Sequence, residues 1–92
     1  MIMKIEMENW YNKLGSTQIT KLYAYNCLIE SGFDKEQAFN LYELLYELWL
    51  KDENDYGFSK LSDMLYNVYN DIKDNINNLS TRDILITMYN NN

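Results

Sequence analysis

The sequence of 92 residues contains no proline and no histidine, and it has only one cysteine and three glycines. Without proline, no helix is interrupted by a residue that lacks a backbone donor. Without histidine, the chain lacks the commonest general acid and base and the commonest transition-metal ligand. The single cysteine, Cys27, forms no intrachain disulfide, which fits a reducing compartment. We therefore expect a protein that is not an enzyme and needs no cofactor or metal.

What the chain does contain is a large apolar fraction, since 47% of its residues are hydrophobic against a net charge of −6. That fraction is high enough to favour a folded core over disorder. No run approaches the roughly 18 apolar residues that cross a bilayer, and the start "MIMKIEMENW" carries acids where a secretory signal needs bases. The expectation is one cytoplasmic domain over residues 1–92 without membrane contact, ending in a disordered asparagine run.

Apolar residues recur at helical spacing in every segment between the glycines. The spacing predicts helices over residues 17–31, 35–51 and 59–78 and a short helix that ends at Tyr89. The predicted fold is all-α, a compact bundle of four to five helices around a central apolar helix at about residues 35–51.

The first segment allows two interpretations. Met3, Met7, Trp10 and Leu14 form one stripe of a helix. Met3, Ile5 and Met7 also alternate with charged residues, as in a half-buried strand. A lone strand would have no partner elsewhere in the chain, so the helix is favoured.

The segment "SGFDKEQAF" predicts a tight joint between two helices. Gly32 suits the left-handed position that ends a helix. Asp34 is the expected N-cap of the next helix, and Gln37 completes a capping box with it. Phe33 and Ala38 stand where a hydrophobic staple places its two apolar residues.

The predicted helix over residues 35–51 is apolar around most of its circumference. Its polar residues form one narrow stripe: Glu36, Asn40, Glu43, Glu47 and Lys51. A helix of this kind is typical of a buried position. We expect Leu41, Leu45, Leu48 and Trp49 to form the centre of the core.

The predicted helix over residues 59–78 is amphipathic. Its apolar positions alternate steps of four and three: Leu61, Leu65, Val68, Ile72, Ile76 and Leu79. Ser80 follows as the N-cap of the last helix, with Asp83 in its first turn.

The segment "DENDYGFSKLSD" resembles the calcium loop of an EF-hand. Asp52, Asn54, Gly57 and Asp63 fit positions 1, 3, 6 and 12 of that loop. Tyr56 and Lys60 depart from it at positions 5 and 9, where ligands are needed. A polar turn is favoured, and a degenerate calcium loop stays an alternative.

Two other classes of site are disfavoured by the residues present. Cys27 lies in a predicted helix with no histidine to activate it, so an inert buried thiol is expected. A recognition helix at residues 35–51 would turn Glu36, Glu43 and Glu47 toward phosphate, which excludes direct nucleic-acid binding.

Nine tyrosines are more than a core of this size holds with every hydroxyl satisfied, and tyrosine is enriched at binding hot spots. Packing at the core edge is an equal alternative for them. The predicted partner-binding residues are Asp52, Glu53, Asp55, Tyr56, Tyr66 and Tyr69.

Acids beside aromatic side chains suit a protein partner with a basic surface. Asparagine, tyrosine, isoleucine and lysine are abundant, which indicates an A/T-rich gene of the kind found in low-GC bacteria and their phages. We expect a small acidic phage or mobile-element accessory protein that inhibits a nucleic-acid-handling host protein, for example a CRISPR effector, by docking on its basic surface. The alternative is a self-associating, homodimeric structural or regulatory protein.

Overall fold

The computed structural model describes residues 16–91, and within them every regular element is helical. The elements are α1 (Ser16–Ser31), α2 (Lys35–Lys51), α3 (Phe58–Ile72), a 3₁₀ turn (Ile76–Asn78) and α4 (Thr81–Asn90). The predicted all-α bundle is thus confirmed. The choice between helix and strand for the first segment falls outside the described residues.

The joint between α1 and α2 has the predicted geometry. The Gly32 and Phe33 N–H groups donate to the Ile29 and Leu28 carbonyls, both at 3.1 Å, with Gly32 at φ 124°. These are the 5→2 and 6→1 hydrogen bonds of the Schellman motif, which ends a helix. Asp34 then accepts from the Gln37 N–H at 2.8 Å, and the Gln37 side chain accepts from the Asp34 N–H at 3.1 Å. The capping box is confirmed.

The core lies where α1 packs against α2 and α3 while α4 covers the other side of that pair. Its fully buried side chains come from all four helices: Ala24, Leu28, Ala38, Leu45, Leu48, Leu61, Leu65, Val68, Ile84 and Met88. Phe33, from the joint, is also buried. Helix α2 contacts each of the other three helices, and α3 contributes the largest number of buried residues.

Burial of α2 is more one-sided than its composition predicts. Leu41, Leu45 and Leu48 are buried as expected, but Trp49 is 38% exposed and is not at the centre of the core. Phe39 and Leu50 are 67% and 55% exposed. Within residues 16–91, α1, α3 and α4 pack against one side of α2 and leave Phe39 and Leu50 exposed.

Helix α3 is shorter than predicted. It ends at Ile72, and the chain turns through residues 73–75 into the 3₁₀ turn, where the Asn78 N–H donates to the Asn75 carbonyl at 2.9 Å. Asparagine and aspartate compete for backbone hydrogen bonds and favour such turns, and "KDNINN" is rich in both. Ile76 and Leu79, which continue the apolar stripe, are partly buried against the core from this turn.

Helix α4 begins as predicted, with the Ser80 hydroxyl accepting from the Asp83 N–H at 3.1 Å. Of the asparagine run, for which disorder was expected, Asn90 is the last residue of α4 and Asn91 donates its N–H to the Thr87 carbonyl at 3.2 Å. Asn92 lies outside the described residues. None of the helices described is long and apolar enough to cross a bilayer.

Candidate functional site

The loop after α2 is organised around the Asp52 carboxylate. One of its oxygens accepts from the Asn54 N–H at 3.0 Å and from the Tyr89 hydroxyl at 2.5 Å. The other accepts from the Tyr56 N–H at 2.6 Å. Asp52 is therefore a structural residue that shapes the loop and fastens it to α4. It was predicted as a partner-binding residue, and its carboxylate already accepts three hydrogen bonds from within the protein.

The neighbouring predicted residues divide between surface and packing. Glu53 and Asp55 are exposed, and Asp55 has a left-handed backbone with φ 58°. Tyr56 is half-buried. Its ring centroid lies 6.4 Å from the Tyr89 ring centroid and 5.9 Å from the Lys60 ammonium. Burial, and then the hydrogen bond to Asp52, raise the pKa of the Tyr89 hydroxyl.

Tyr66 and Tyr69 hold the joint between α1 and α2. Both rings meet the buried Phe33 ring edge-on, with centroids 5.1 Å apart in each case. Tyr66 is 46% exposed and lies directly against Gly32, where an added Cβ would stand 2.8 Å from its ring. Packing on Phe33 gives Tyr69, and the covered part of the Tyr66 ring, a structural role.

The six predicted residues do not form one site. Asp52 to Tyr56 follow the C-terminal end of α2. Tyr66 and Tyr69 instead pack on Phe33, which precedes the N-terminal end of that helix. The 17 residues of α2 span about 25 Å at the rise of an α-helix. A partner would have to cover that whole length to contact both sets.

The geometry also bears on the calcium alternative. Both oxygens of Asp52 accept hydrogen bonds from protein donors. Asp63, at the last position of the supposed loop, accepts instead from the Ser31 hydroxyl of α1 at 2.6 Å. No group of three or more candidate metal ligands occurs within residues 16–91.

Cys27 lies in the core beneath α3. The Ser62 hydroxyl donates to its carbonyl at 3.0 Å, and its side chain is buried. Burial raises the pKa of the Cys27 thiol more strongly than its hydrogen bond to Tyr23 lowers it. A protonated, covered thiol is a poor nucleophile.

A line of aromatic side chains on α2, with Phe39 and Trp49 exposed and Tyr42 and Tyr46 half-buried, was not predicted as a site. Phe39, Tyr42, Tyr46 and Trp49 are spaced by three, four and three residues, so they form one line along the helix; we call them the aromatic row. Its rings contact each other in two pairs, with centroids 5.9 Å apart for Phe39–Tyr42 and 6.0 Å apart for Tyr46–Trp49. Trp49 also stacks on Phe58 at 4.6 Å.

The first half of the aromatic row borders an apolar groove between α1 and α2. The groove has a volume of about 250 Å³ and is lined by Gln18, Lys21, Leu22, Tyr25, Phe39 and Tyr42. Phe39 forms its outer wall and is the most exposed large apolar side chain in the described part of the chain. The groove thus offers a concave apolar surface beside an exposed ring.

Carboxylates run parallel to the aromatic row. Glu36, Glu43 and Glu47 are exposed on the adjoining side of α2; we call them the acidic row. Lys21 stands between the two rows, 3.8 Å from a Glu43 carboxylate oxygen and 5.5 Å from the Tyr46 ring centroid. The spacing of 39, 42, 46 and 49 was visible in the sequence, but burial was the expected reason for it.

No protein-family model matches the chain, and neither a curated protein nor a solved structure shows significant similarity to it. Fold and surface define a small helical bundle whose second helix carries an aromatic row and an acidic row side by side. The function must be inferred from that surface.

Proposed function

We propose that the protein is non-catalytic and acts by docking on a partner protein whose surface is basic and apolar. The observation that carries this is the aromatic row beside the acidic row on α2. Exposed aromatic residues are the usual anchors of protein interfaces, and carboxylates beside them select a positively charged partner.

The two rows have separate physical tasks. Phe39 is 67% exposed, and full burial of such a side chain contributes about 1.5–3 kcal/mol, so the aromatic row supplies affinity. The acidic row supplies orientation and association rate, both of which weaken as salt screens the charges. Affinity should therefore fall in high salt without disappearing.

In its more specific form, the proposal is that the partner is a nucleic-acid-handling protein, such as a CRISPR effector, inhibited by a phage or mobile-element protein. The support is the net charge of −6 and the exposed carboxylates of the acidic row, which can occupy a surface made for phosphate. This form requires that partner binding and nucleic-acid binding exclude each other.

The test is affinity capture from a lysate of the source cells, with identification of the captured protein and measurement of its binding by purified components. Phe39→Ala, and Glu43→Lys with Glu47→Lys, alter the two rows. Asp71→Lys with Asp74→Lys makes the same charge change on exposed residues that belong to neither row, in α3 and just after it, and is the matched control.

We expect the row variants to weaken binding at least tenfold and the control to leave it unchanged. Glu53→Lys with Asp55→Lys tests the acidic loop in the same assay. If that pair abolishes binding and the row variants do not, the site is the loop after α2. Equal binding by all variants would refute a site on α2, and failure of nucleic acid to displace the protein would refute the more specific form.

The second candidate is a homodimer formed through the same face, favoured by the exposure of Phe39 and Leu50. A two-fold interface uses the same patch on both copies, so it would bring two acidic rows together. Lys21, the cation between the rows, already pairs with Glu43. Sedimentation at micromolar concentration separates the candidates, since a monomer excludes the dimer.

A further inference from the structure

A second groove lies between the end of α2 and α4, away from the aromatic row. Its volume is about 290 Å³, and it is lined by Lys51, Glu53, Arg82, Leu85, Ile86 and Tyr89; we call it the cationic groove. The cationic groove shares no side chain with the aromatic row or the acidic row, and its two cations are opposite in charge to the acidic row.

The charge of this groove is opposite to that of the protein. Lys51 and Arg82 face one acid, Glu53, in a chain with a net charge of −6. Within residues 16–91 the ion pair at 4 Å or less joins Lys21 and Glu43, so neither Lys51 nor Arg82 has a carboxylate at that distance there. Two cations that pair with no carboxylate of the described residues thus line one concave surface.

The floor of the cationic groove is apolar and held in place. Leu85 is buried in the core, and Ile86 is 42% exposed. The Tyr89 hydroxyl donates to Asp52 and accepts from the Glu53 N–H at 3.3 Å, which restrains the ring. A groove shaped before binding loses less conformational entropy when a ligand enters.

We infer that the cationic groove binds an acidic peptide segment of a partner protein, with an apolar side chain on Ile86 and Leu85 and a carboxylate between Lys51 and Arg82. Arginine holds carboxylates through paired hydrogen bonds, and lysine adds a point charge. A free inorganic anion would leave the apolar floor uncovered. Nucleic acid would likewise place its polar phosphates over the groove and leave the exposed Ile86 uncovered.

The probe is a fluorescein-labelled, amidated ten-residue peptide of alternating glutamate and leucine, and binding is read by fluorescence anisotropy. Two control peptides replace every glutamate by glutamine or every leucine by serine. Protein variants are Arg82→Gln and Lys51→Gln, with Lys73→Gln as the matched loss of an exposed cation at the end of α3. Circular dichroism confirms that each variant is folded.

We expect the glutamate–leucine peptide to bind, each groove variant to raise its Kd by about tenfold, and Lys73→Gln to leave the Kd unchanged. Both control peptides should bind at least tenfold more weakly. Phe39→Ala and the Glu43→Lys, Glu47→Lys variant should bind the probe as the wild type does, which separates this inference from the proposed function.

Several outcomes would overturn the inference. One is no binding of the probe at about millimolar protein, the limit of weak specific contacts. Another is equal loss with Lys73→Gln, which would mean attraction to any cation. Equal binding of the glutamine peptide would mean apolar adhesion alone. Self-association in sedimentation that Arg82→Gln abolishes would make the occupant a second copy of this chain.

Discussion

The Tyr89 hydroxyl donates a 2.5 Å hydrogen bond to the Asp52 carboxylate, across 37 positions of the sequence. The same carboxylate accepts the backbone N–H groups that shape the loop after α2. One side chain thus determines both the course of this loop and the docking of the last helix. The position of the cationic groove depends on it, because Tyr89 is part of the floor of that groove.

Asp52→Ala should lower the free energy of unfolding by about 2–3 kcal/mol, since three donors lose a charged acceptor. Tyr89→Phe removes one of these bonds together with the bond from the Glu53 N–H, and it should cost about 1–2 kcal/mol. Because the two residues share a bond, the double variant should cost less than the sum of the single ones. Urea denaturation measures all three.

Glu53→Ala is the matched control for Asp52→Ala, because Glu53 is an exposed acid of the same loop. It should change the free energy of unfolding by about 0.5 kcal/mol or less. A strictly additive pair, or equal effects of Asp52→Ala and Glu53→Ala, would show that the hydrogen bonds to Asp52 contribute nothing to stability.

Leu45→Ala should destabilise the fold by about 2–5 kcal/mol, because Leu45 is completely buried and the substitution leaves a cavity. Leu50→Ala makes the same chemical change on the same helix at a side chain that is 55% exposed. It should cost about 0.5 kcal/mol. Similar thermal unfolding midpoints for the two variants would contradict the orientation given for α2.

Gly32→Ala should cost more than the roughly 1–2 kcal/mol of a left-handed alanine, because its Cβ would also stand 2.8 Å from the Tyr66 ring. Adding Tyr66→Ala should remove the steric part of the cost and leave the backbone part. Gly57→Ala is the control, with φ −80° and no atom within 4 Å of the added carbon. The joint is misplaced if both glycines tolerate alanine equally in denaturation.

The free energy of unfolding should fall as the pH rises above about 8.5, the ordinary pKa of a cysteine. Burial raises the pKa of Cys27 in the folded protein, so the unfolded chain loses this proton first. The contribution of the Cys27 thiol to the free energy of unfolding is complete below about pH 8.5. It is lost as the pH rises toward the pKa of this thiol in the folded protein.

Cys27→Ala should remove this part of the pH dependence, measured by urea denaturation under reducing conditions between pH 7 and 10. The pKa of Tyr23 is raised mainly by the neighbouring Cys27 and that of Tyr89 mainly by burial, both from 10.0. The loss of folding stability that comes from these two tyrosines therefore begins at a higher pH than the loss that comes from Cys27. An unchanged slope in Cys27→Ala would mean that the thiol does not titrate differently in the two states.

Local chemistry made some features predictable from the sequence. The joint around Gly32 and Asp34 depends on backbone conformation and capping within ten residues, and both were predicted correctly. The amphipathic stripe of α3 was also correct, because alternation of apolar and polar residues reports which face is buried. The end of α3 was missed because the apolar spacing continues through a segment whose asparagines favour a turn.

Features that depend on distant contacts were not predictable. Asp52 looked like one of three similar acids in its loop, and only the fold brings Tyr89 to it. Trp49 looked like a core residue because an apolar composition cannot show how much of a helix three neighbours cover. Phe39 is the most exposed large apolar side chain of the described residues, and that exposure, which the sequence does not show, is what indicates a site at the aromatic row.

The local character of the joint between α1 and α2 has a consequence for synthesis on the ribosome. The hydrogen bonds of its Schellman ending and capping box lie within residues 28–37, so the hairpin of α1 and α2 can close before α3 has been translated. Tyr66 and Tyr69, which cover Phe33, follow the end of α2 by 15 and 18 positions, or roughly 1–4 seconds at 5–20 residues per second. During that interval the nascent hairpin presents an uncovered phenylalanine, which is the kind of exposed surface that chaperones bind.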